Sequence, residues 1–463
     1  MILFNGGITM ANEKVDALVA KARAAQAIAA NYTQEQVDDM VKVVAHKVWD
    51  DRENLAKIAH EDTGKGTYDF KMAKLRGTIS GTYMYLKGRK SVGLIEHDEE
   101  KKLWKYAKPV GVLACICPVT NPAATPIGNG LNVLKTRNAM IVSPHPGAKG
   151  ATQYTVDVMR EALKEHGYPE DLIQMVPAPT MQDTTDLMSA VDLIVATGGP
   201  SIVKAALSSG KPSLGVGAGN AQCIIDEGFD DVKSVVDQII PTRMIDFGMP
   251  CTGEQTLHCP ASKAEEVIAE YKANGAYYID DPEQLQKLRE TIFIGGAINR
   301  AVVGQRAHKV CELAGIEIPE DTTILLLKVD ACGKDDVLAK EILFPTTRLY
   351  VYDKFEEALE RAKTNLLMEG AGHSSCLWSN NPEHINLAAL TLPAGRVMIN
   401  QPATCGSGRQ NNGLPQTVSL GCGYWGGNSV YENVNYKQMM NFTFVSELIT
   451  DRKVLTPEEI MAD

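Results

Sequence analysis

The 463-residue sequence lacks any run of about 18 or more apolar residues, which a membrane-spanning helix would require. Its apolar start, residues 1–4, is far shorter than the core of a secretion signal. A clustered basic face is also missing, because the net charge is -11 and acidic and basic residues are interspersed. We therefore expect a cytoplasmic protein with neither membrane nor nucleic acid among its partners.

Cysteine occurs ten times, but without the pattern of a disulfide framework or a metal centre. Cys115 and Cys117 lie in the apolar run 111–117, which is typical of a β-strand with both thiols on one face. No second Cys or His pair at ligand spacing accompanies them, so we expect no metal. In a chain of this length without a secretion signal, we expect reduced thiols, most of them buried as small hydrophobic side chains.

The pattern of apolar residues predicts an α/β protein with two or three domains, since the chain is too long for one hydrophobic core. Between residues 15 and 62, apolar residues recur every three or four positions and predict two amphipathic helices. From residue 108, short apolar runs alternate with helical stretches, which is typical of βαβ units on a parallel sheet. Strands are predicted at 110–117, 139–142, 173–176, 193–196 and 222–225 in the first sheet, and at 255–258, 323–329 and 348–351 in a second unit.

A glycine pair closes the predicted strand at 193–196. Gly198 and Gly199 let the backbone approach a ligand closely, and Pro200 suits the first turn of a helix whose free N–H groups favour anions. This pattern favours a cofactor loop, but a plain tight turn fits it equally well, because the full G-x-G-x-x-G fingerprint is absent.

Cys251 lies in a polar, glycine-containing stretch, residues 246–256. A nucleophilic thiol needs partial exposure and surroundings that favour the thiolate, and a loop provides both more readily than a core. Among the ten cysteines, Cys251 is therefore the strongest candidate for a nucleophile.

Six motifs between residues 108 and 441, in this order, resemble those of the CoA-acylating branch of the aldehyde dehydrogenase superfamily. They are Pro-Val-Thr-Asn-Pro at 118–122, Ser-Pro-His-Pro at 143–146, Ala-Thr-Gly-Gly at 196–199, Gly-Val-Gly-Ala-Gly-Asn at 215–220, Cys-Thr-Gly-Glu-Gln at 251–255 and Leu-Gly-Cys-Gly-Tyr-Trp-Gly-Gly-Asn-Ser at 420–429.

The resemblance implies an α/β fold of the aldehyde dehydrogenase type. A Rossmann-type cofactor domain is expected at 10–240, completed by about 422–435, followed by an α/β catalytic domain at 241–421. Residues 436–463 are expected to form an oligomerisation strand and tail, which implies a homodimer or homotetramer. Residues 2–9 are set aside as a leader or part of a tag.

The resemblance also implies the chemistry of the site. Cys251 is expected to attack an aldehyde carbonyl and, after hydride transfer to NAD or NADP, to carry the acyl group as a thioester. Asn121 is expected to stabilise the oxyanion, with a helix cap as its alternative role. His373 matches a family histidine near the active site, where a supporting and a purely structural role are both open.

The expected cofactor contacts lie mostly at predicted strand ends. Glu341 resembles the glutamate that contacts the nicotinamide ribose, with a solvated surface glutamate as the alternative. Ser143 stands where hydrolytic relatives usually have a lysine for the adenine ribose, so the choice between NAD and NADP is open. The full expected set is Thr120, Ser143, Pro144, His145, Thr197, Gly198, Gly199, Gly215, Val216, Gly217 and Glu341.

Hydrolytic members of the family carry a glutamate that activates water. In these members the glutamate precedes a Leu-Gly-Gly segment. Alignment of residues 214–218 on that segment puts Gly215 at the place of the glutamate. Without the carboxylate the thioester should resist water, and coenzyme A becomes the expected acceptor. The glycine should also leave room for this thiol.

Three residues are expected near the substrate. Phe247 should shape the wall nearest the aldehyde, and Arg243 and Arg409 should lie at the mouth, where guanidinium groups pair with carboxylate or sulfonate. This favours a short anionic aldehyde such as sulfoacetaldehyde or succinate semialdehyde, with acetaldehyde or propanal as the neutral alternative. A surface ion pair is the other role open to each arginine.

Two further classes of function stay open from the residues alone. One is a CoA acyltransferase or thioesterase without a redox step, which would need only the reactive cysteine and a CoA site. The other is a non-catalytic scaffold or microcompartment cargo protein that docks through its N-terminal helices.

Overall fold

The computed structural model describes residues 12–462. The segment 2–9, set aside as a leader, lies outside these residues, as do residues 10 and 11 of the predicted cofactor domain. In the described part of the chain, no helix combines the length and the apolar character needed to cross a bilayer. All ten cysteines belong to the described part and are free thiols.

Helices and strands alternate along most of the chain. The helices are α1 Glu13–Ala29, α2 Gln34–Asp50, α3 Arg52–Thr63, α4 Tyr68–Leu86, α5 Ala124–Lys135, α6 Lys149–Glu165, α7 Met181–Ala190, α8 Pro200–Leu207, α9 Val232–Met244, α10 Ala264–Ala273, α11 Pro282–Ile292, α12 Ala307–Leu313, α13 Phe355–Met368, α14 Pro382–Thr391 and α15 Pro457–Ile460. The strands are β1 Gly93–Asp98, β2 Leu103–Pro109, β3 Val112–Ile116, β4 Ala139–Ser143, β5 Ile173–Met175, β6 Leu193–Thr197, β7 Ser213–Val216, β8 Ala221–Ile225, β9 Glu254–Pro260, β10 Ala276–Ile279, β11 Phe293–Ile294, β12 Ala297–Ile298, β13 Ile324–Lys328, β14 Thr346–Tyr352, β15 Ser374–Trp378, β16 Arg396–Ile399 and β17 Met440–Ser446.

Three helices, α1, α2 and α3, occupy the region where two were predicted. A capping box at Thr33 begins α2, in which its hydroxyl accepts from the Gln36 amide and the Gln36 side chain accepts in return. The extra break lies at Asp51, whose φ of -91° and ψ of 7° leave the helical range between α2 and α3. No Gly or Pro marks this position, so the sequence pattern did not reveal it.

The first sheet has five parallel strands in the order β5-β4-β3-β6-β7. Four of the strands predicted for this sheet are confirmed, those at 110–117, 139–142, 173–176 and 193–196. Their residues are almost all buried, because helices cover both faces of a parallel sheet. Helix α5, which connects β3 to β4, is buried along its whole length.

The strand predicted at 222–225 forms, but it does not belong to the first sheet. It is β8, which pairs in parallel with β9 and β15. Only residues 217–220 separate β7 from β8, and a parallel crossover within one sheet needs about a dozen residues or more. The predicted domain boundary at residue 240 is therefore wrong for the sheets, and the division falls in the segment 217–220.

The second sheet has seven parallel strands in the order β10-β13-β14-β9-β8-β15-β16. It includes the strands predicted at 255–258, 323–329 and 348–351. A smaller antiparallel sheet, β1-β2-β17, joins the start of the α/β region to the C-terminal strand, with β17 at its edge. The strand expected at 436–463 is β17, and the short helix α15 follows it.

The site lies where strand ends of the two large sheets approach each other, at Gly219 and Cys251. The carboxyl ends of β6 and β7 carry residues 197–199 and 216–219, and the chain then enters the amino end of β8. Cys251 precedes β9 and His373 precedes β15, so both lie at the amino edge of the second sheet. The predicted site residues thus converge between the carboxyl edge of one sheet and the amino edge of the other.

Candidate active site

Cys251 lies in the loop between α9 and β9 and is half-buried. The backbone of Gly219 packs directly against it, since a Cβ at Gly219 would lie 1.8 Å from the Cys251 carbonyl oxygen. Burial raises the pKa of the thiol to about 12, and the charges of Glu341 and Cys422 act in the same direction. Lys74 lowers this pKa. At neutral pH the thiol is therefore protonated, and its thiolate fraction grows as the pH rises.

The loop that leads to Cys251 has an unusual backbone. Asp246 and Phe247 are both left-handed, with φ of 50° and 52°, and Gly248 follows at 76°. A left-handed conformation costs a non-glycine residue about 1–2 kcal/mol. Arg243 holds one side of the loop, donating from Nη1 to the Gly248 carbonyl at 2.7 Å. The position of Cys251 therefore depends on contacts that fix this loop.

Two lysines of α4 hold the other side of the loop. Lys71 Nζ lies 2.9 Å from Asp246 Oδ2, and Lys74 Nζ contacts the same oxygen. Lys74 also donates to the carbonyl of Thr120 at 3.0 Å. Asp246 is completely buried, and burial together with Lys74 lowers the pKa of Lys71 to about 8. Two ammonium groups thus share one carboxylate, and the cluster has an excess positive charge beside the Thr120 loop.

The sequence does not reveal this lysine cluster. Its two members are three residues apart and therefore share one face of α4, but a pair of lysines on a helix is usually solvated. The unusual feature, a 3% exposed Lys71, is visible only in the fold.

Arg243 does not reach the substrate mouth, so its predicted substrate role is wrong. Only 1% of it is exposed, because its side chain extends from α9 toward the start of β14. Its guanidinium hydrogens are used on backbone carbonyls, those of Gly248, Ile342, Phe344 and Thr346. The arginine is a structural link that ties the thiol loop to the segment 342–346.

We expect Arg243→Ala to lower the free energy of unfolding by about 3 kcal/mol or more, because it leaves several buried carbonyls without donors. Arg409→Ala is the matched control, and its exposed site predicts a change within about 0.5 kcal/mol. Urea unfolding of both variants would measure the difference. Equal stability of the two variants would contradict the structural role of Arg243.

The other two predicted substrate residues are accessible. Phe247 is half-buried, with its ring 6.0 Å from that of Phe70 and 5.3 Å from the guanidinium carbon of Arg306. It lines an open cavity of about 350 Å³. Arg409 is exposed, and its backbone N–H donates to the side chain of Asn412.

Most of the predicted cofactor residues lie at the carboxyl edge of the first sheet. Thr120 follows β3, Thr197 ends β6, and Val216 ends β7. The chain order reverses between β3 and β6, which is the switch point where such sheets bind ligands. Thr197 Oγ1 is buried and has no hydrogen-bond partner among residues 12–462. Gly198 and Gly199 follow it, and Gly199 is the N-cap of α8.

Asn121 is half-exposed in the loop after β3. Helix α5 begins three residues beyond it, at Ala124, with Ala123 as its N-cap and without a capping side chain. The alternative role of Asn121 as the cap of this helix is therefore wrong. Its amide is placed at the same sheet edge as Thr197.

The segment 143–145 at the end of β4 offers fewer side chains to a cofactor than the sequence predicted. The Ser143 hydroxyl is buried, and its Oγ lies 2.9 Å from Thr184 Oγ1, so the side chain faces α7. Its predicted contact with the cofactor is wrong for the side chain. Pro144 is buried as well. His145 is exposed, and its Nδ1 accepts from the Gly147 amide at 3.0 Å.

Gly215 is required by close packing and does not open a space. A Cβ at Gly215 would lie 2.9 Å from Val203 Cγ1 and 3.4 Å from Asn428 Nδ2. The Asn428 amide also donates to the Gly215 carbonyl. The expectation that this glycine leaves room for an incoming thiol is therefore wrong, because α8 and Asn428 fill the position of its side chain.

Glu341 and His373 are both enclosed. Glu341 is half-buried, and its Oε1 accepts from the Gly219 amide at 2.9 Å, which excludes the solvated surface role. Burial and the nearby Glu369 raise its pKa to about 8. His373 is fully buried, and burial together with Arg396 lowers its pKa to about 3. Neither ring nitrogen of His373 has a partner within the described chain.

Comparisons with known proteins agree with this architecture. The model of the aldehyde dehydrogenase family matches residues 8–314. The chain is 42% identical to the succinate-semialdehyde dehydrogenase (acetylating) of Clostridium kluyveri, over 97% of this chain and all of that protein. It is 39% identical to the sulfoacetaldehyde dehydrogenase of an Acholeplasma species, over 96% and 93%. The crystal structure of an acetylating aldehyde dehydrogenase from Geobacillus thermoglucosidasius superposes with a TM-score of 0.91 at 35% identity, over 96% and 98%.

These relatives confirm the resemblance drawn from the six motifs and the α/β fold class. They also decide against the non-redox acyltransferase and the non-catalytic scaffold as main functions. The chain therefore belongs to the aldehyde dehydrogenase family, in its CoA-acylating branch, and is an oxidoreductase that acts on aldehydes.

Proposed function

We propose that this enzyme interconverts a short anionic aldehyde and its acyl-CoA, with Cys251 as the nucleophile and NAD or NADP as the hydride acceptor. The observation that carries the proposal is the position of Cys251. It packs against Gly219, just beyond the carboxyl end of β7, and Lys74 of the lysine cluster lowers the pKa of its thiol.

The chemical step begins at the Cys251 thiolate, whose formation Lys74 favours. Sulfur attacks the carbonyl carbon, and the electron pair of the C=O bond moves to oxygen. The Asn121 amide and the Cys251 N–H are the donors we assign to this oxyanion, and each such donor is worth about 3–4 kcal/mol of barrier. As the C=O bond re-forms, hydride leaves the carbon and a thioester remains on Cys251. When bound, the nicotinamide supplies the hydride acceptor.

Residues of the first sheet fit a nicotinamide cofactor. The buried, unpartnered Thr197 Oγ1 needs a hydrogen-bond partner, and Gly198 and Gly199 place backbone N–H groups at the start of α8. Glu341, which lies between β13 and β14 of the second sheet, would bind the nicotinamide ribose. We accordingly assign cofactor binding to the unit built on the first sheet and the nucleophile to the unit built on the second.

The acyl group should leave by thiolysis. Position 215 has no carboxylate to activate water, and its glycine is held by Val203. The thiolate of coenzyme A attacks the thioester carbonyl, the new C–S bond forms, and the bond to Cys251 breaks, which regenerates the Cys251 thiolate. His373, which is neutral at physiological pH, would lie on the side of the site where coenzyme A enters and would add no charge there.

An anionic substrate is favoured by the charge near the thiol. With Arg243 engaged by backbone carbonyls, Lys74 and Arg409 are the cations that we assign to the carboxylate or sulfonate. Sulfoacetaldehyde and succinate semialdehyde fit this chemistry. Acetaldehyde and propanal are the neutral alternatives that the first experiment separates from them.

We expect cofactor reduction to require coenzyme A. With aldehyde and NAD or NADP but no CoA, the enzyme should release about one equivalent of reduced cofactor per active site and then slow by roughly 100-fold or more, since a missing general base costs about that much in hydrolysis. Absorbance of the reduced cofactor would follow the burst with succinate semialdehyde, sulfoacetaldehyde, acetaldehyde and propanal in turn.

That experiment tests the acylating mechanism and the anionic substrate separately. Sustained turnover to free acid without CoA would mean that another group activates water. A clear preference for propanal or acetaldehyde, with CoA still required, would leave the acylating mechanism intact and contradict the anionic substrate.

The raised pKa of the Cys251 thiol predicts a steep pH dependence. Because its pKa is about 12, the thiolate fraction in the free enzyme should grow about tenfold per pH unit between pH 7 and 9. The rate of alkylation of Cys251 by iodoacetamide, followed by mass spectrometry, should rise with the same slope. Free cysteine, with a pKa of about 8.5, is the control whose rate levels off in this range. A plateau for Cys251 below pH 9 would contradict the expected pKa.

Assembly is proposed to involve the C-terminal strand. Strand β17 lies at the edge of its sheet, and Phe444 and Val445 on it are 58% and 45% exposed. An open strand edge with apolar side chains suits pairing with a second copy, which supports a homodimer or homotetramer. Cytoplasmic localisation stays a prediction.

A further inference from the structure

An open cavity of about 350 Å³ lies beside the loop that leads to Cys251. Phe247 of that loop lines it, together with Gly64 and Gly66 from the turn between α3 and α4. On its other side lie residues from in front of α12 to just beyond it, among them Arg306, Lys309 and Glu320. This space, the Phe247 cavity, therefore joins the thiol loop to two segments that are far from it in sequence.

The thiol loop is packed tightly against both of these segments. A Cβ at Gly66 would lie 1.9 Å from Asp246 Oδ1, and a Cβ at Gly304 would lie 2.9 Å from Met249 Sδ. Between these contacts stands Phe247, whose φ of 52° is rare for an aromatic residue. Such a backbone persists only where its surroundings enforce it, and it is typical of functional sites. The fold thus holds Phe247 in place on the wall of the cavity.

Arg306 is a cation of the Phe247 cavity that has no counterion. It is exposed, and within residues 12–462 it forms no ion pair, whereas Lys309 of the same cavity pairs with Glu312 at 2.7 Å. The hydrogen bond to Glu312 and the charge of Glu320 both raise the pKa of Lys309. The acids near the cavity therefore act on Lys309, and the charge of Arg306 is left for an anion.

The ring of Phe247 supports the guanidinium of Arg306. The guanidinium carbon lies 5.3 Å from the ring centre, and the ring itself packs edge-on against Phe70 at 6.0 Å. Stacking leaves the N–H groups at the edge of a guanidinium free, and these match the oxygens of a carboxylate or sulfonate. In the described chain they donate to no protein acceptor, unlike those of Arg289, which hold Asp336. The arrangement therefore suits a small organic anion.

The Phe247 cavity is also close to the nucleophile along the chain. Cys251 is the fourth residue after Phe247, so their Cα atoms are at most about 14 Å apart. We propose that Arg306 is a specificity-determining residue, which captures the carboxylate or sulfonate of the aldehyde at the Phe247 cavity before the substrate reaches Cys251. Lys74 and Arg409 keep their assigned roles once the aldehyde is at the thiol. The inference rests on the proposed anionic substrate and on Cys251 as the nucleophile.

The test is the rate at which Cys251 reacts with iodoacetate, a small anionic electrophile, and with neutral iodoacetamide, in the absence of substrates. Peptide mapping identifies the labelled cysteine. At an ionic strength of about 0.02 M, Arg306→Gln should lower the rate with iodoacetate by about fivefold or more, because an attractive charge at an entrance raises the rate of capture. The rate with iodoacetamide should stay within about twofold. Arg306→Lys keeps the charge and should retain about half of the wild-type rate with iodoacetate, or more.

Arg89 provides the matched control. It is also exposed, and its guanidinium carbon lies 4.1 Å from the centre of the Tyr85 ring, but it does not line the Phe247 cavity. Arg89→Gln should leave both rates within about twofold. An unchanged rate with iodoacetate in Arg306→Gln would overturn the proposal. Equal losses with the two reagents would overturn it as well, because they would show a disturbed thiol loop.

A second measurement needs no variant. In the wild-type enzyme, raising the ionic strength to about 0.5 M should lower the rate with iodoacetate by about fivefold and leave the rate with iodoacetamide unchanged, because salt screens an exposed charge. A rate with iodoacetate that does not depend on salt would overturn the proposal. Coenzyme A and nicotinamide cofactor are absent from these assays. Failure of the proposed function would therefore appear in the experiment with the four aldehydes, and failure of this inference in the alkylation rates.

Discussion

Replacing Cys251 by alanine should lower the rate of CoA-dependent cofactor reduction by about 10⁴-fold or more, because removal of a covalent nucleophile leaves only binding and oxyanion stabilisation. The burst of reduced cofactor seen without CoA should disappear as well, since no thioester can form. Both signals are read from the absorbance of the reduced cofactor, with binding of NAD or NADP measured separately to show that the variant is folded.

Cys332 offers a control with matched exposure. It is half-buried like Cys251, but it lies beside the short turn 333–335, away from the junction of the two sheets. Cys332→Ser should keep activity within about twofold. Full activity of Cys251→Ala, or equal losses in the two variants, would remove Cys251 from the mechanism.

The strands of both large sheets were predictable because each is a short, continuous apolar run. Such a run is what a strand needs when helices cover both faces of a parallel sheet. The membership of β8 could not be read in the same way, because its residues resemble those of β6 and β7. Only the short connection from β7, residues 217–220, excludes β8 from the first sheet, because a parallel crossover within one sheet needs about a dozen residues or more.

The site was predictable where its residues sit at strand ends or in glycine-containing loops, as at Thr197 and Cys251. The role of Arg243 was not, because the sequence does not show how many carbonyls surround a guanidinium. Four backbone carbonyls accept from it in the fold, so an arginine expected to meet an anion is a structural link instead. The cation that takes its place near the thiol, Lys74, lies more than 150 residues earlier in the chain.

Substitution of Lys74 by methionine is the sharpest test of the anionic substrate. A charged hydrogen bond in a half-buried site is worth about 1.5–3 kcal/mol, which corresponds to a loss of about 10-fold to 150-fold in kcat/KM for succinate semialdehyde or sulfoacetaldehyde. The neutral substrate propanal lacks the group that Lys74 would hold. Its kcat/KM should fall only to the extent that Lys74 also favours the Cys251 thiolate, which we expect to be about threefold or less.

The ratio of the losses in kcat/KM for the anionic aldehyde and propanal separates two roles of Lys74, because Lys74 also contacts Asp246 in the thiol loop. A displaced loop would slow both aldehydes equally, whereas a lost anion contact slows only the charged one. Arg409→Ala should show the same selective loss through KM, and the surface lysine variant Lys47→Met, which removes ion pairs to Glu161 and Glu165, should leave both aldehydes unchanged. Equal losses for propanal and the anionic aldehyde in Lys74→Met and Arg409→Ala would show that the excess charge serves the loop alone, and the substrate would then be a neutral aldehyde.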